Sequence, residues 1–291
     1  MTHIIDGKKI ASEIEEKIAQ AVALISSRKP GLAFVLVGDN PSSKIYVKMK
    51  KKKCSDVGIR SFDKEFSESV SEQELLQTIH DLNINPDIDG ILVQLPLPKH
   101  INTSRIIEAI RPDKDIDGFH PINMGNLLIG EHNCFCPCTP LGIHVMLNHS
   151  NIPIEGKHVV IVGRSNIVGK PLAALLMQKS PYCNASVTVV HSKSDNLKEI
   201  CRSADILVAA IGKAHFIKPD MVKEGCCVID VGINRVIEKD GKTRIVGDVD
   251  YEMVAPKTKY ITPVPGGVGP MTIAMLLSNT LLSYQRKPHK G

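Results

Sequence analysis

Runs of apolar residues alternate with helix-length segments along the chain, and this alternation most constrains its fold. Six runs have strand length and are rich in Val, Ile and Leu: LAFVLVG (32–38), GILVQLPLP (90–98), HVVIVG (158–163), ASVTVVH (185–191), DILVAAIG (205–212) and CCVIDVG (226–232). Continuous β-branched runs separated by helices are typical of parallel strands buried on both faces. The sequence therefore predicts an α/β fold built on parallel sheets.

The length of the chain, 291 residues, predicts two domains, because one hydrophobic core rarely grows that large. We predict a first domain at 1–120, an irregular connection at 121–138 and a Rossmann-like, doubly wound domain at 139–269. Thr139 is predicted to cap the helix that follows, with Pro140 as its first residue. The C-terminal helix, within 270–291, is predicted to return to the first domain. Two α/β domains around a cleft would hold a small-molecule site between them.

Composition and charge exclude several classes of protein. The net charge of +5 is mild, aromatic residues make up 4% and Trp is absent, so we expect no nucleic-acid partner. No window of about 18 apolar residues occurs, so we expect no membrane contact. The N-terminus, MTHIIDGKK, becomes charged too early for a signal peptide, which predicts a cytoplasmic protein.

The eight cysteines are expected to be reduced and mostly buried. One segment, HNCFCPC (132–138), offers candidate metal ligands in His132, Cys134, Cys136 and Cys138. Structural zinc sites usually space paired cysteines by two to four residues and take a second pair from elsewhere. The C-x-C-x-C spacing differs from this pattern and no distant C-x-x-C supports it, so we expect no metal.

A lysine-rich helix follows the first strand, in DNPSSKIYVKMKKKKCSDVG (39–58). Asn40 is the predicted cap and Pro41 the first residue. On an ideal helix Tyr46 and Cys54 fall within about 40° of Lys50, on the face that should turn toward the protein. A partly desolvated lysine near other ammonium groups is expected to have a lowered pKa and to exchange protons near neutrality. The alternative is a side chain that extends into solvent, like most lysines of a charge run.

A second candidate site begins at VVIVGRSNIVGKPLAALL (159–176), a strand, a glycine turn and a helix. Such a turn presents backbone N–H groups to a pyrophosphate, although Ser165 replaces the second glycine of the usual fingerprint. The next strand ends in VVHSKSD, where NAD-specific sites usually carry an acidic residue. This strand end instead carries His191, Ser192 and Lys193, and Arg164 lies in the glycine turn. Such a site would accept a 2′-phosphate, which favours NADP. Asp195 is the competing ribose contact, but we expect it to cap the next helix.

As a set, five motifs are similar to those of the bifunctional methylenetetrahydrofolate dehydrogenase/cyclohydrolase family, in its bacterial stand-alone form. They are YVKMK (46–50), VQLPLP (93–98), KDIDGFHPINMG (114–125), GRSNIVGKP (163–171) and TPVPGGVGPMT (262–272). The resemblance covers essentially the whole chain. It implies that NADP⁺ oxidises 5,10-methylenetetrahydrofolate to the 5,10-methenyl form, which is then hydrolysed to 10-formyltetrahydrofolate.

The resemblance also implies residue roles. Lys50 would be the general acid/base of ring opening and would help to position the folate. Tyr46 would stack on the pterin or its neighbour, Gln94 would bond to Lys50, and Asp117 would bond to the pterin's amino-pyrimidine edge. Cofactor contacts would come from Gly163, Arg164, Ser165, Ser192 and Ile233. Substrate contacts would include Pro263, Gly266 and Gly267, in a loop beside both ligands. The family further implies a homodimer formed by the second domain.

Each of these residues also has a structural interpretation. Gln94 could end a strand, Asp117 could belong to a turn with Gly118, and PVPGGVGP could connect to a helix that starts near Pro270. Two other functions stay open, a dehydrogenase with weak cyclohydrolase activity and a non-catalytic NADP-binding regulator. The sequence departs from the family pattern at SPYC (180–183), Asn126 and Ser194, which lie toward the cofactor side and a hinge.

Overall fold

The computed structural model describes residues 1–131, 133–237, 241 and 243–287. It divides into two compact units. The six-stranded unit comprises Met1–Ala11, Leu127–Gly130 and Thr139–Thr272, and the three-stranded unit comprises Ser12–Asn126, Glu131–Cys138 and Ile273–Gly291.

The strands of the described residues carry the numbers β1 to β11 in chain order. Their bounds are β1 His3–Ile4, β2 Gly31–Val37, β3 Arg60–Phe66, β4 Gly90–Val93, β5 His158–Val162, β6 Ser186–Val190, β7 Ile206–Ala209, β8 Cys227–Asp230, β9 Asn234–Ile237, β10 Thr243–Val246 and β11 Tyr260–Ile261. The six predicted apolar runs correspond to β2, β4, β5, β6, β7 and β8. These strand predictions are confirmed.

The helices are numbered in the same way. Their bounds are α1 Gly7–Ala23, α2 Pro41–Asp56, α3 Glu72–Ile84, α4 Thr103–Ala109, α5 Pro121–Ile129, α6 Cys138–His149, α7 Gly169–Leu176, α8 Leu197–Arg202, α9 Tyr251–Val254 and α10 Val268–Gln285. Within the described part of the chain, no helix is both long enough and apolar enough to cross a bilayer.

The six-stranded unit contains a wholly parallel sheet in the order β1-β11-β8-β7-β5-β6. Its inner strands β7 and β8 are buried along their whole length, as continuous apolar runs predict. A cluster of fully buried side chains packs on this sheet, among them Val160, Leu207 and Val228. From β5 the chain adds β6 on one side and then returns to add β7 on the other side, so the order of strand addition reverses at β5. The predicted Rossmann-like, doubly wound sheet is confirmed.

The three-stranded unit contains a second parallel sheet, in the order β3-β2-β4. All seven residues of β2 are buried. The hydrophobic core of the unit includes Ala33, Val35, Leu75, Ile79 and Ile91. The later part of α10 belongs to this unit from Ile273 onward, so the predicted return of the C-terminal helix is confirmed.

The sequence analysis did not predict the short and polar strands. The strand β3, with the sequence RSFDKEF, lies at the edge of its sheet and is largely exposed. An exposed edge strand can be polar, so no continuous apolar run marked it in the sequence. The two-residue strand β1 pairs with β11, and this pairing places residues 1–11 in the six-stranded unit, whereas the sequence assigned them to the first domain. The antiparallel pair β9–β10 was also missed.

The connection between the predicted domains is not irregular throughout, so that expectation was wrong. The nine-residue helix α5 occupies its first half, starting at Pro121, and Nδ1 of His120 accepts the Ile122 N–H group at 3.1 Å. Helix α6 begins at Cys138, so Thr139 and Pro140 lie inside its first turn rather than at the cap and first position. Helix α10 begins at Val268, two residues before the predicted Pro270.

Candidate active site

Helix α2 has the cap and the inward face that the sequence predicts. The Asn40 side chain accepts N–H groups of Ser42 and Ser43, and Pro41 is the first helical residue. Along the inward face Val47 and Cys54 are buried, whereas Lys48 and Lys52 on the opposite face are exposed. This difference confirms the orientation of the helix.

Lys50 and Tyr46 are both half-buried and lie one turn apart on this face. The Nζ atom of Lys50 donates a hydrogen bond to Oε1 of Gln94 at 3.2 Å. Gln94 follows directly after β4, and its backbone N–H donates to Val35 at 2.9 Å. Its side-chain Nε2 donates to the carbonyl oxygen of Leu95 at 2.8 Å, which leaves Oε1 turned toward the lysine. The side chain of Lys50 therefore does not extend into bulk solvent.

Asp117 lies close enough to Lys50 for their charges to interact. Removal from water raises the pKa of Asp117 to about 6, an effect that the positive charge of Lys50 opposes and the charge of Asp115 increases. The thiol of Cys138 donates to Oδ1 of Asp117 at 3.8 Å. The three-stranded unit thus brings Lys50, Gln94 and Asp117 near one another.

The segment that carries Asp117 is held by a buried network that the sequence analysis missed. The Asp115 carboxylate is 2% exposed and accepts the backbone N–H groups of Phe119 at 3.2 Å and His120 at 2.8 Å. Nδ2 of Asn123 donates to it at 2.8 Å. Burial raises the pKa of Asp115, and these hydrogen bonds oppose the rise. Asp115 was overlooked because it looks like a surface residue of a charged turn.

A residue of the last helix supports the same segment. Nδ2 of Asn279 donates to the carbonyl oxygens of Ile116 at 2.8 Å and Cys136 at 3.2 Å. Asn279 is 3% exposed and lies in the apolar part of α10. An Asn inside an otherwise apolar helix was the available signal, because a buried amide needs specific partners.

The glycine turn after β5 lies at a topological switch point of its sheet, since β6 and β7 flank β5 on opposite sides. Gly163 has φ +135°, and a Cβ atom there would collide with the carbonyl oxygen of Ala210. A Cβ atom on Gly169 would likewise collide with the carbonyl oxygen of Gly163. The two glycines therefore permit a close approach of backbone segments at the start of α7. Oγ of Ser165 accepts the Val168 N–H group at 3.1 Å.

The predicted cofactor residues at this edge have exposed side chains. Arg164, Ser165 and Ser192 are exposed, and Ile233 is 50% exposed. The segment from the end of β6 to Asp195 contains His191, Ser192, Lys193 and Ser194. Helix α8 is capped by Asn196 in a left-handed conformation, without a side-chain bond, so the predicted capping role of Asp195 was wrong. The glycine cradle and the positive charge of Arg164 fit a dinucleotide that carries an extra phosphate.

Asp248 organises a loop at the same sheet edge that the sequence did not reveal. The N–H groups of Ile211 and Gly212 donate to its Oδ2 at 2.7 and 2.8 Å. Lys213 N–H and Nδ2 of Asn234 each donate to its Oδ1 at 2.9 Å. This fully buried carboxylate thus fixes the loop after β7, next to the glycine turn.

A second buried acid, Asp230, ends β8. Its carboxylate accepts the N–H groups of Gly232, Asp248 and Val249, each at 2.9 Å. Burial raises the pKa of Asp230 to about 6 against the effect of these bonds. Asp230 and Asp248 together hold the segment that leads to Ile233.

The loop predicted to contact substrate follows β11. Gly266 has φ +108°, and its carbonyl oxygen accepts the Lys8 N–H group at 2.9 Å. Gly267 is buried, and a Cβ atom on Gly7 would collide with its carbonyl oxygen. Close backbone packing with the start of α1 therefore shapes the loop from Pro263 to Gly267.

The cysteine-rich segment has a structural function at Cys138, whose buried thiol also donates to the Ile116 carbonyl oxygen at 3.5 Å. Burial and the neighbouring Asp117 raise the pKa of this thiol. His132, a ligand of the metal alternative, lies outside the described residues. Among the residues that are described, no group of three or more His, Cys, Asp or Glu side chains is arranged to hold a metal ion.

The parallel sheet, its switch point and the glycine turn define a dinucleotide-binding α/β protein. Residues 137–288 match the family model described as the NAD(P)-binding domain of tetrahydrofolate dehydrogenase/cyclohydrolase. Residues 5–117 match the catalytic domain of the same family. The chain belongs to the tetrahydrofolate dehydrogenase/cyclohydrolase family.

Individual relatives agree with this assignment. The chain is 55% identical over 285 residues to a bifunctional protein FolD of Protochlamydia amoebophila (strain UWE25), covering 97% of this chain and 98% of that protein. It is similar to the crystal structure of the bifunctional enzyme FolD, methylenetetrahydrofolate dehydrogenase/cyclohydrolase, from Campylobacter jejuni, with a TM-score of 0.93, 47% identity and coverage of 98% and 99%. The Trypanosoma brucei enzyme, complexed with NADP cofactor and inhibitor, gives a TM-score of 0.92, 38% identity and coverage of 98% of each chain.

Proposed function

We propose that this chain oxidises 5,10-methylenetetrahydrofolate with NADP⁺ and hydrolyses the 5,10-methenyl product to 10-formyltetrahydrofolate. Family membership over both domains supports the pair of activities. The observation that carries the residue-level proposal is the hydrogen bond from Lys50 to Gln94 beside Asp117. The three-stranded unit binds the folate, and the six-stranded unit binds the dinucleotide.

The oxidation step needs orientation more than acid–base chemistry. When bound, NADP⁺ accepts a hydride from the folate methylene carbon, and a ring nitrogen lone pair of the folate drives its departure. The protein's contribution is to hold the reacting groups in position. Asp117 holds the amino-pyrimidine edge of the pterin, and Tyr46 stacks on the ring.

The hydrolysis step requires several proton movements, and we assign two of them to Lys50. Water adds to the methenyl carbon, and Nζ of Lys50 takes the proton that the water loses. The hydroxyl group of the tetrahedral intermediate then loses its proton to solvent and becomes the formyl carbonyl as the carbon–nitrogen bond breaks, and the ammonium group of Lys50 returns a proton to the leaving nitrogen. Gln94 fixes the Nζ atom by accepting its hydrogen bond.

The contacts to the cofactor are proposed from the glycine turn and the cations around it. Gly163, Arg164 and Ser165 hold the phosphates, and Ser192 with Arg164 contacts the 2′-phosphate of NADP. Ile233 lies against the nicotinamide. Pro263, Gly266 and Gly267 are proposed as substrate contacts from the family resemblance.

The location and assembly of the protein are further proposals. All eight cysteines are unpaired, which supports the reducing environment of the cytoplasm. We propose a homodimer formed by the six-stranded unit, whose edge strand β6 exposes Val189. A monomeric mass in sedimentation equilibrium would contradict the dimer.

Lys50→Met tests the central role, with Lys48→Met on the exposed face of the same helix as the matched control. We expect Lys50→Met to lose cyclohydrolase activity by about 100-fold or more, the usual contribution of a general acid/base. NADP⁺ binding should stay within twofold of the wild type, because the dinucleotide belongs to the other unit. Lys48→Met should keep both activities.

The oxidation step is measured by a steady-state assay with NADP⁺ and with NAD⁺, and the hydrolysis step by a separate steady-state assay. NADP⁺ binding is measured by fluorescence titration. Cyclohydrolase turnover that survives Lys50→Met would refute the proton-transfer role. Accumulation of the methenyl product by the wild type, without hydrolysis above the uncatalysed rate, would refute the second activity.

A further inference from the structure

Two short turns lie side by side at the carboxyl edge of the six-stranded sheet. The parallel strands β5 and β6 are neighbours, and the Gly163 N–H group after β5 donates to the carbonyl oxygen of Val190, the last residue of β6, at 2.8 Å. The glycine turn therefore starts beside the turn of residues 191–194, which follows β6. Each turn carries one proposed contact of the 2′-phosphate, Arg164 in the first and Ser192 in the second.

The turn of residues 191–194 is closed by three hydrogen bonds. The Ser194 N–H group donates to the His191 carbonyl oxygen at 2.9 Å, which is the backbone bond of a β-turn. In the opposite direction, the His191 N–H group donates to Oγ of Ser194 at 3.0 Å. The Lys193 N–H group donates to Nδ1 of the His191 ring at 3.2 Å. The side chains of His191 and Ser194 therefore hold the backbone of the turn.

The histidine of this turn has the function that an asparagine or aspartate usually has in turns. Those side chains accept the backbone N–H group two residues further on and so fix the start of the turn. Nδ1 of His191 accepts the Lys193 N–H group in the same way, which requires that Nδ1 itself carries no proton. The ring is half-buried, so the protein around it limits its orientation.

The two central residues of the turn are the ones available to a ligand. Ser192 and Lys193 are exposed, whereas His191 and Ser194 are half-buried. Asp195, which follows the turn, is exposed as well, so its negative charge offsets the positive charge of Lys193. Recognition of a phosphate by this turn therefore depends on a well-placed hydrogen-bond donor, the Ser192 hydroxyl, more than on net charge.

We propose that His191 and Ser194 are positioning residues that determine the preference for NADP⁺ over NAD⁺. They act through the turn, whose three hydrogen bonds hold Ser192 in place for the 2′-phosphate. A donor that is already fixed loses less conformational freedom when it binds, so an ordered turn strengthens this contact. NAD⁺ has a hydroxyl group instead of the 2′-phosphate and gains less from the ordered turn. The inference rests on the proposed NADP site and adds two residues to it.

Two pairs of substitutions separate the hydrogen bonds from the size of the side chains. His191→Leu removes the acceptor of the Lys193 N–H group, whereas His191→Asn keeps an acceptor oxygen near the position of Nδ1. Ser194→Ala removes the acceptor of the His191 N–H group, whereas Ser194→Thr keeps the hydroxyl. The control is His158→Leu. This half-buried histidine lies at the start of β5, at the opposite end of the strand from the glycine turn, and its ring is hydrogen-bonded to Oγ1 of Thr188 at 2.9 Å.

The test is a calorimetric titration of NADP⁺ and of NAD⁺ into the full chain and into each variant at pH 7. The ratio of the two dissociation constants isolates the 2′-phosphate, since the cofactors are otherwise identical. We expect the wild type to bind NADP⁺ at least about tenfold more tightly. His191→Leu and Ser194→Ala should each lower this preference about fivefold, the usual effect of one hydrogen bond, and change the NAD⁺ affinity less than twofold. The Asn, Thr and His158→Leu variants should keep the ratio within twofold.

The ratio distinguishes the positioning role from a purely structural one. Equal losses of affinity for the two cofactors in His191→Leu and Ser194→Ala would overturn the proposal, because a structural defect weakens both. A preference that stays at the wild-type value in these two variants would overturn the positioning role alone and leave the NADP site standing. A wild type that binds the two cofactors equally would refute the NADP site itself, and this role with it.

Discussion

Asp117 and Lys50 illustrate how one residue's environment depends on another that is distant in the sequence. The carboxyl group is removed from water and its pKa is raised to about 6, while the nearby ammonium group limits the rise. An aspartate in the turn DKDIDGF would otherwise titrate near its ordinary value. Asp117 therefore titrates near pH 6 because of the groups that surround it.

Asp117 should accept the pterin's N–H groups only when it is ionised, which is above pH 6. We expect the KM for methylenetetrahydrofolate to rise about tenfold per pH unit as the pH falls below 6. In Asp117→Asn the KM should be high and independent of pH, because the amide places a donor against a donor. Steady-state kinetics from pH 5 to 8 measures both, with the exposed Asp113→Asn as control. A flat KM profile in the wild type would exclude this role.

Arg164 is the exposed cation of the glycine turn and the proposed partner of the 2′-phosphate. We expect Arg164→Ala to raise the KM for NADP⁺ by about tenfold, in line with the loss of a charge-assisted hydrogen bond. The KM for NAD⁺, which lacks that phosphate, should change by less than twofold. Lys218→Ala, an exposed cation paired with Asp250 in the same unit, serves as the control. Equal changes for the two cofactors would argue against the contact.

At the scale of single elements, the glycine turn and helix α5 show opposite uses of glycine. Gly163 has a positive φ, and a side chain there would collide with backbone atoms of the loop after β7. Gly125 lies on the exposed side of α5, and a Cβ atom there would have nothing within 4 Å. The first glycine is required by tertiary packing, and the second is not.

These two positions give a matched pair of substitutions. Gly163→Ala should abolish NADP⁺ binding and lower the melting temperature, because the backbone must move to admit the methyl group. Gly125→Ala should stabilise the protein by about 0.5–1 kcal/mol, since Ala loses less conformational entropy in a helix. Thermal melting and NADP⁺ titration measure both effects. Normal cofactor affinity in Gly163→Ala would show that the turn does not need this close approach.

Helix α5 also marks a limit of the sequence prediction. Its segment starts with Pro121, has Gly125 in the middle and is followed by Gly130, and it was expected to be irregular. The structure shows that Pro121 starts a helix whose preceding turn is held by the Asp115 carboxylate. That stabilising contact involves a buried group rather than a local apolar period, so pattern analysis could not detect it.

On the scale of the whole molecule, Asp89 joins distant parts of the three-stranded unit. Its carboxylate binds Arg28, the Gly31 N–H group at 2.9 Å and Lys287, and Oγ of Ser283 donates to its carbonyl oxygen at 2.6 Å. The beginning of β2, the residue before β4 and the end of α10 thus meet at one buried acid. Burial alone would raise the pKa of Asp89, but these bonds outweigh it and the pKa is lowered below 3.8.

Asp89→Asn should therefore destabilise the three-stranded unit by about 3 kcal/mol, the usual cost of leaving a buried ion pair without one partner. The contribution of the ionised carboxylate is complete above the unfolded value of 3.8 and is lost as the pH falls through the lower folded value. Urea unfolding should show the full difference from the wild type at pH 7 and a smaller one below pH 3.8. The control is Asp87→Asn, whose Arg60 partner is 3.9 Å away in an exposed pair. A difference that is independent of pH would contradict the ion-pair account.

Local patterns in the sequence determined the α/β class, the six long strands, the glycine turn and the inward face of helix α2. Each depends on hydrophobic periodicity or on a backbone conformation set within a few residues, so the local sequence is enough to predict it. Tertiary structure alone decided that Lys50 lies beside Gln94 and Asp117, that Asp248 binds the loop after β7, and that Asp89 joins the start of β2 to the end of α10. These contacts join residues tens of positions apart, and only the order of strands in the two sheets brings them together.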